Sequence, residues 1–348
     1  MTLPTTYLAA LVLSIFSMLC LGSWANSFKL VGKRRFELLY FDFALGLMLA
    51  VLVAAFTLGT MGSDGFTFMD DIMRAGKRNM VFALGAGVVF NLGNMLLVGG
   101  VSLVGMAVGF PLSLGLALMT AVAFSSLVEP QGNPTLVASG VGLVALAIIV
   151  DIVAYLFLSL HKEVQRMKAG EHRTLRPSVS WKGVLIAAVG GLVLGLPHPL
   201  LAQATRGDVG LGPYSTAIMF CLGIASSTVI FNLFFMNLPI QGPALEIPDY
   251  LRGKFRNHMI GLVGGVVWAA GTIAAYVAPS VPVESRWPPS VGFAVIQAAP
   301  LVSALWGLLA WKEIKGADLK VPALMVLMFL LFAGGLVVLS MAPFSLAY

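Results

Sequence analysis

Val291-Gly-Phe-Ala-Val-Ile-Gln297-Ala-Ala-Pro300-Leu-Val-Ser303-Ala-Leu-Trp306-Gly-Leu-Leu-Ala-Trp311-Lys312-Glu313 is the stretch on which the reading of this chain turns. It is long enough to cross a bilayer, since roughly 20 mostly apolar residues span the hydrocarbon core. It also carries Gln297, a proline in mid-span and Ser303, and it stops at a charged pair. A helix that only fills space needs none of these. A weaker echo begins at Val108-Gly-Phe110-Pro111-Leu-Ser113 and also closes on an acid, Glu129. The echo points to a duplicated membrane protein whose halves face each other across a site.

Composition agrees with the class. Hydrophobic residues make up 59% of the 348 and charged residues only 10%, where a soluble domain carries about 25% charge. The mean hydropathy is +0.94. Met1-Thr-Leu-Pro-Thr-Thr-Tyr7 lacks the basic segment of a cleavable signal peptide, so none is expected. The net charge of +6 is scattered among loops and sets orientation rather than binding nucleic acid. Cys20 and Cys221 lie in apolar runs and read as packing residues, with no disulfide or metal.

Ten spans are expected, near 6–27, 37–60, 79–99, 102–126, 136–159, 181–203, 213–238, 257–278, 289–311 and 320–342. Breakers such as Glu129-Pro130-Gln-Gly132-Asn-Pro134 and Trp287-Pro288-Pro289 separate them. Most of the 21 basic residues fall on one side. Lys29, Lys33, Arg34 and Arg35 lie in loop 1–2, and Lys162, Arg166, Lys168, Arg173, Arg176 and Lys182 in loop 5–6. Loop 7–8 adds Arg252, Lys254 and Arg256, and loop 9–10 adds Lys312, Lys315 and Lys320. The positive-inside rule makes these loops cytoplasmic and puts both termini outside, in a cell (plasma) membrane. Arg74, Lys77 and Arg78 in loop 2–3 are the exception; they follow Asp70 and Asp71, which would partly neutralise them at the interface.

Ten spans divide into five and five, and an odd number per repeat inverts the second copy. The expected organisation is therefore an all-α membrane protein of two inverted five-helix repeats, 1–160 and 181–348, joined by a cytoplasmic linker, 161–180. Internal matches support it. Gly87-Val-Val-Phe90-Asn91-Leu-Gly93-Asn94 matches Gly265-Val-Val-Trp268-Ala-Ala-Gly271-Thr272, and Leu21-Gly22-Ser-Trp24-Ala-Asn26 lies on Leu194-Gly195-Leu-Pro197-His198-Pro199. Inverted repeats that meet at the bilayer midplane suit alternating access in secondary transporters.

These residues also carry a family resemblance. Gln297 to Glu313 resembles the penultimate span of the ureide permeases, and Gly87–Asn94 is similar to their third span. Leu21–Asn26 is similar to their first, and Tyr40-Phe-Asp42-Phe to the aspartate-bearing start of their second. The resemblance runs along nearly the whole chain. It implies ten helices in a five-plus-five inverted repeat and proton-linked uptake of oxo-heterocycles such as allantoin and uracil. It also implies a place near the glucose/ribose porters in the drug/metabolite transporter superfamily. Plant members have a long central loop with a phosphate-loop-like motif, whereas loop 5–6 here is short and no G-x-x-x-x-G-K-[ST] occurs. A shortened bacterial member with its own substrate is expected, with no nucleotide or other cofactor.

Polar groups inside spans are costly in lipid and need partners or a purpose. Asn91 and Asn94, three apart, share a face of span 3, and Trp268 and Thr272, four apart, hold the matching stretch of span 8. Gln297 faces the break at Pro300. Amide side chains both donate and accept, which suits the edges of a ureide or the hydroxyls of a sugar. Trp24, Asn26 and Phe110 complete the expected solute site. The competing reading is that such groups only join helices. Trp306 reads as packing, and Trp181, Trp287 and Trp311 as an interfacial belt. Three groups are candidates for a coupling proton. Asp42 stands near a helix N-terminus where an anion is favoured, Asp151 is deep in span 5 with no cation near in sequence, and His198 lies between two prolines. Glu129 and Glu313 read as helix-end anchors, and Gly105/Gly109, Gly191/Gly195 and Gly261/Gly265 as close-packing pairs.

The chain is therefore expected to be a secondary transporter of a small uncharged polar solute, a ureide or nucleobase-like heterocycle, with a monosaccharide as the alternative. It is not expected to be an enzyme: four histidines, with only His198 deep in a span, and no HExxH or GxSxG supply neither a nucleophile–base pair nor a metal centre. A ligand-free scaffold would have a tightly packed centre instead of polar residues gathered in spans 1, 3, 8 and 9.

Overall fold

A computed structural model describes residues 1–32, 34–62, 65–128, 132–168, 180–282 and 289–342. Ten helices are long and apolar enough to cross a membrane: α1 (Tyr7–Leu30), α2 (Glu37–Phe56), α3 (Lys77–Val104), α4 (Met106–Leu127), α5 (Pro134–Gln165), α6 (Trp181–Ala204), α7 (Pro213–Asn237), α8 (Phe255–Ser280), α9 (Val291–Ala310) and α10 (Lys320–Met341). The chain is a multi-pass membrane protein. No strand occurs among the described residues. At this length each helix satisfies its own backbone hydrogen bonds, which is what lipid demands.

Boundaries differ from expectation where polar sequence still favours a helix. The helix of α5 continues to Lys168, so His161-Lys-Glu-Val-Gln-Arg-Met-Lys168 belongs to it and not to a loop; these are mostly good helix formers. Residues 169–179 of the expected linker, with Glu129 and Trp287, lie outside the described residues.

Three spans are broken. α1 consists of Tyr7–Ser23 and Asn26–Leu30, α6 of Trp181–Gly195 and Pro197–Ala204, and α9 of Pro289–Ile296, Ala299–Leu305 and a π-helical turn, Trp306–Ala310. The breaks in α1 and α6 fall just after Leu21-Gly22 and Leu194-Gly195, the segments that match in sequence. In α9, Pro300 lacks the N–H that would bond the Ile296 carbonyl.

Loop contacts define two faces. On one, Lys29 pairs with Glu313, Lys162 donates to the Glu313 carbonyl, Arg35 reaches the Pro243 carbonyl and Lys182 that of Ile240. Loops 1–2, 7–8 and 9–10 and the facing ends of α5 and α6 therefore meet on this basic face. On the other, the hydroxyl of Thr2 donates to the Met61 carbonyl, Arg74 bonds the Asp208 carbonyl and Asn79 that of Gln203. Loop 2–3 forms a short helix, Phe68–Arg74. There, buried Asp71 pairs with Arg74 at 2.9 Å and accepts the Gly212 N–H ahead of α7. Asp71 thus neutralises Arg74, while Asp70 accepts from the Thr67 hydroxyl.

The uncharged connection between α3 and α4 is one residue, Gly105, at φ 94°. Its backbone conformation is left-handed, and a Cβ would meet the Glu313 carboxylate at 2.7 Å. That carboxylate accepts from the N–H groups of Met106 (2.9 Å) and Ala107 (2.8 Å) and from Lys29 Nζ (2.8 Å). Glu313 therefore caps α4 from the end of α9, where the helix dipole favours an anion. Because Lys29 is one-third exposed, most of the stabilisation lies in the two part-buried amide bonds. Glu313→Ala is expected to cost about 1–2 kcal/mol, read as a lower melting temperature in detergent, with Glu313→Gln intermediate.

The helices pair in a regular way. α1 packs on α8 and α6 on α3; α2 packs on α8 and α7 on α3; α1 packs on α9 and α6 on α4; α9 packs on α10 and α4 on α5. α2 with α7, α4 with α9 and α5 with α10 also pack, as do the chain neighbours α3 with α4 and α7 with α8. Small residues make the tightest crossings. A Cβ on Gly46 of α2 would fall inside the Leu262 carbonyl of α8, and one on Gly223 of α7 inside the Leu84 carbonyl of α3. Gly265 of α8 likewise abuts the Phe43 carbonyl, and Gly87 of α3 the Phe220 carbonyl. Backbones meet directly there, as small-residue packing in lipid allows.

Candidate functional site

Between α1, α3, α4, α6, α7, α8 and α9 lies a cavity of ≈ 150 Å³. Six residues expected at a solute site line it: Trp24, Asn94, Phe110, Trp268, Thr272 and Gln297. They come from α1, α3, α4, α8 and α9, far apart in sequence. The breaks in α1, α6 and α9 all reach this cavity, at Trp24, at Pro197 and His198, and at Gln297.

Aromatic rings make up much of its wall. Trp268 stands 5.2 Å from Phe90 and 6.3 Å from Phe220, the latter nearly parallel at 21°. Trp24 stands 4.9 Å from Phe43 and 6.3 Å from Phe110. Such faces stack on a flat ring or cover the apolar side of a sugar. The polar groups are few and held in place. Asn94 donates its amide to the Tyr40 hydroxyl at 2.9 Å, and Thr272 donates to the Trp268 carbonyl at 3.1 Å. Both side chains thereby keep oxygen lone pairs for a ligand. Among the described residues that line it there is no Asp, Glu, Lys or Arg, and His198 is the one imidazole.

A second cavity, of ≈ 390 Å³, lies on the basic face. Lys29, Arg34, Arg35, Glu37, Ser102 and Gln241 line it. Phe110 belongs to the walls of both cavities. Beside it, Trp24, Phe28, Tyr40 and Phe43 form an aromatic cluster with ring centroids 4.9–6.4 Å apart. The two spaces are thus neighbours with an aromatic partition between them.

Two of the expected solute contacts are placed elsewhere. Asn91 turns from the cavity to α7, where its amide donates to the Ile224 carbonyl (3.1 Å), Ser227 (2.8 Å) and Thr228 (3.1 Å). Three residues on a helix differ by about 60° in direction, and α3 is packed on both sides, so that angle separates Asn91 from Asn94. Asn91→Ala is expected to lower stability by about 1 kcal/mol while leaving the solute preference unchanged in a thermal-shift series. Asn26 bonds the Ser23 carbonyl and accepts from Trp311 Nε1 at 2.7 Å. It belongs to a seam between α1 and α9 that also holds Ser303 to the Gly22 carbonyl and Trp306 to Ser23. Trp306 and Trp311 thus have bonding partners in α1, whereas Trp181 is exposed at a span end.

The three ionisable candidates are apart from one another. His198 lines the central cavity. Asp151 is fully buried in α5, and neither carboxyl oxygen has a hydrogen-bond partner among the described residues. Its one-turn neighbours Ile148, Ala154 and Tyr155 join the second apolar cluster, with residues of α4, α9 and α10. Asp42 accepts from the Tyr250 hydroxyl at 2.6 Å, and its other oxygen lies 2.8 Å from His258 Nδ1. The internal match to Trp268 could have singled out Phe90. Nothing in the sequence marks Phe220, Tyr276, Tyr250 or His258, which reach their places only by helix packing.

No family model matches the chain. Among characterised proteins, ureide permease 4 of Arabidopsis thaliana is 23% identical, over 93% of this chain and 94% of its own. Ureide permease 1 of the same plant is 22% identical, over 95% and 96%. This chain is similar to the ureide permeases over nearly its whole length. Ureide permease 2 adds a third alignment of the same extent, at 21% identity. A protein of known crystal structure superposes with a TM-score of 0.53 at 16% identity, covering 94% of this chain and 95% of that one. That likeness concerns the fold alone. The likeness to the permeases extends over 93–95% of the chain.

Proposed function

We propose that this protein is a permease that takes up a small uncharged polar solute, a ureide or nucleobase-like heterocycle, by alternating access. The observation that carries the reading is the central cavity: aromatic, uncharged, and placed where three broken helices meet. Planar N–H and C=O bearing rings fit such walls, with Asn94, Thr272 and Gln297 as hydrogen-bonding groups and Trp24, Phe110 and Trp268 as stacking surfaces. The similarity to proteins named ureide permeases supports the same solute class and does not favour a monosaccharide. It also supports a transporter over an enzyme.

The pairing of helices supports two inverted repeats, 1–160 and 181–348. Exchanging each span for the one five places on turns most of the packed pairs named above into pairs that are also observed; α3 with α4 and α7 with α8 lack a counterpart of similar extent. The glycine crossings exchange in the same way, with Gly46 and Leu262 trading places with Gly223 and Leu84. We take the basic face as cytoplasmic by the positive-inside rule, with both termini outside, in a bacterial inner membrane. Within the drug/metabolite transporter superfamily this reading places the chain near the glucose/ribose porters. Proton symport fits the presence of Asp42, Asp151 and His198 within the spans.

A thermal-shift series on the purified protein tests the solute class. Allantoin or uracil is expected to raise the melting temperature, while glucose and the charged ureide allantoate leave it unchanged. Stabilisation by glucose alone would move the assignment to sugars. Stabilisation by none of the four would sink the permease reading.

A further inference from the structure

We propose that Asp42, His258 and Tyr250 form a proton-binding site that clamps the basic-face ends of α2 and α8 together. The site lies outside both cavities. Asp42 is 5% exposed, and its two oxygens face different partners, Tyr250 Oη at 2.6 Å and His258 Nδ1 at 2.8 Å. The rings of Tyr250 and His258 meet edge to face, 4.8 Å apart. Three segments converge on one carboxylate: the start of α2, the short helix Ile247–Leu251 and the first turns of α8.

The charges around the cluster come from every segment packed on it. Arg34 of loop 1–2 bonds the Tyr250 carbonyl at 3.1 Å. Its guanidinium and His258 Nε2 both crowd the space beside Gly253. One turn before Asp42, Glu37 pairs with Arg35, and Asn232 of α7 donates to the Glu37 carbonyl. Asp249 caps its own short helix through the Glu246 N–H, and Lys254 precedes α8. From α1, Lys29 is engaged by Glu313. The imidazole therefore has an anion against one ring nitrogen and a cation near the other. Burial, and then the Asp42 carboxylate, push the Tyr250 hydroxyl above its ordinary range, so Tyr250 stays a donor while the imidazole gains or loses its proton.

The proton changes the nature of the bond. With His258 neutral, the Asp42 carboxylate accepts a hydrogen bond from the ring; with His258 cationic, the attraction of opposite charges is added and α2 and α8 are joined by an ion pair. No covalent bond is made or broken apart from N–H. The consequence reaches the central cavity by a short route. Phe43, next to Asp42, stands 4.9 Å from Trp24 and 6.1 Å from Trp268. A Cβ on Gly261 of α8 would sit 2.8 Å from the Asp42 Cβ, so the helices are in close contact at the clamp and a shift there carries to these rings.

The proton site stands by itself; only its link to uptake rests on the permease reading. The first measurement is therefore independent of any solute: tryptophan fluorescence of the purified protein between about pH 5 and 8. A single step is expected in the native chain, lost in both His258→Gln and Asp42→Asn, and displaced but present in Tyr250→Phe. A native chain without a step, or a step that survives in either of the first two variants, overturns the proposal. The second measurement is uptake of labelled allantoin into proteoliposomes across the same range. The native profile is expected to depend on pH, while His258→Gln keeps exchange of allantoin across the membrane and loses that dependence. A variant profile identical to the native one also overturns it. If the native chain moves no allantoin, the permease reading fails while the fluorescence step still decides the proton site.

Discussion

Gly46→Ala and Gly223→Ala are each expected to cost about 3 kcal/mol or more, at the upper end of what overpacking does. In each case the added methyl falls inside a carbonyl of the facing helix, Leu262 in one crossing and Leu84 in the other. A flexible side chain could rotate away; a backbone carbonyl within a helix cannot. The helices must separate, and the loss then spreads along α2 with α8 or α7 with α3, among the most extensive packing seams in the molecule. Thermal unfolding in detergent reads the effect. Gly85→Ala, Gly142→Ala and Gly334→Ala are the controls, since a Cβ at any of these meets nothing within 4 Å. These three should match or slightly exceed the native melting temperature, because alanine favours a helix over glycine. Equal melting temperatures for the crossing variants and the controls would show that the backbones do not approach as described. The two crossing glycines should also behave alike, which a molecule with unrelated halves has no reason to do.

Trp268→Ala is expected to reduce solute uptake about 100-fold or more, the equivalent of roughly 2.7 kcal/mol of lost binding and positioning. The indole stands against Phe43, Phe90 and Phe220 and lines the cavity beside Asn94 and Thr272. Truncation removes the largest stacking surface and leaves a void, so stability must be followed in parallel. Trp268→Phe separates the two effects. It keeps an aromatic face and is expected to retain uptake within about tenfold, where a solely structural tryptophan would track the melting temperature in both variants. Asn91→Ala is the useful contrast, because its amide serves α7 and not the cavity. A loss of uptake in Asn91→Ala as large as in Trp268→Ala, at unchanged stability, would remove the distinction drawn between them.

The legible part of this protein follows from what lipid forbids. A backbone polar group cannot be left bare in hydrocarbon, so runs of apolar residues of spanning length become helices whatever surrounds them. Polar residues within those runs must then meet a partner or a cavity. Asn94, Thr272 and Gln297 were visible for that reason, and the match of Gly87–Asn94 with Gly265–Thr272 tied two of them to equivalent helices. The same rule could not say which of the two answers applied. Asn91 and Asn94 are alike in residue type and depth, yet one bonds α7 and the other lines the cavity. Rotation of α3 about its axis decides that, and rotation is set by the glycines that meet Phe220 and Leu194 from two sides.

Local sequence thus determined the ten spans, the break at Pro300 and the small set of polar and aromatic side chains that had to be accounted for. Packing decided the rest: Phe90 and Phe220 against Trp268, Glu313 on the first turn of α4, and His258 with Tyr250 on Asp42. The physical reason is the distance between partners along the chain. A helix forms from hydrogen bonds four residues apart, which a single segment contains. A carboxylate paired with an imidazole 216 residues away depends on how α2 crosses α8, and that crossing exists only when both helices are in place.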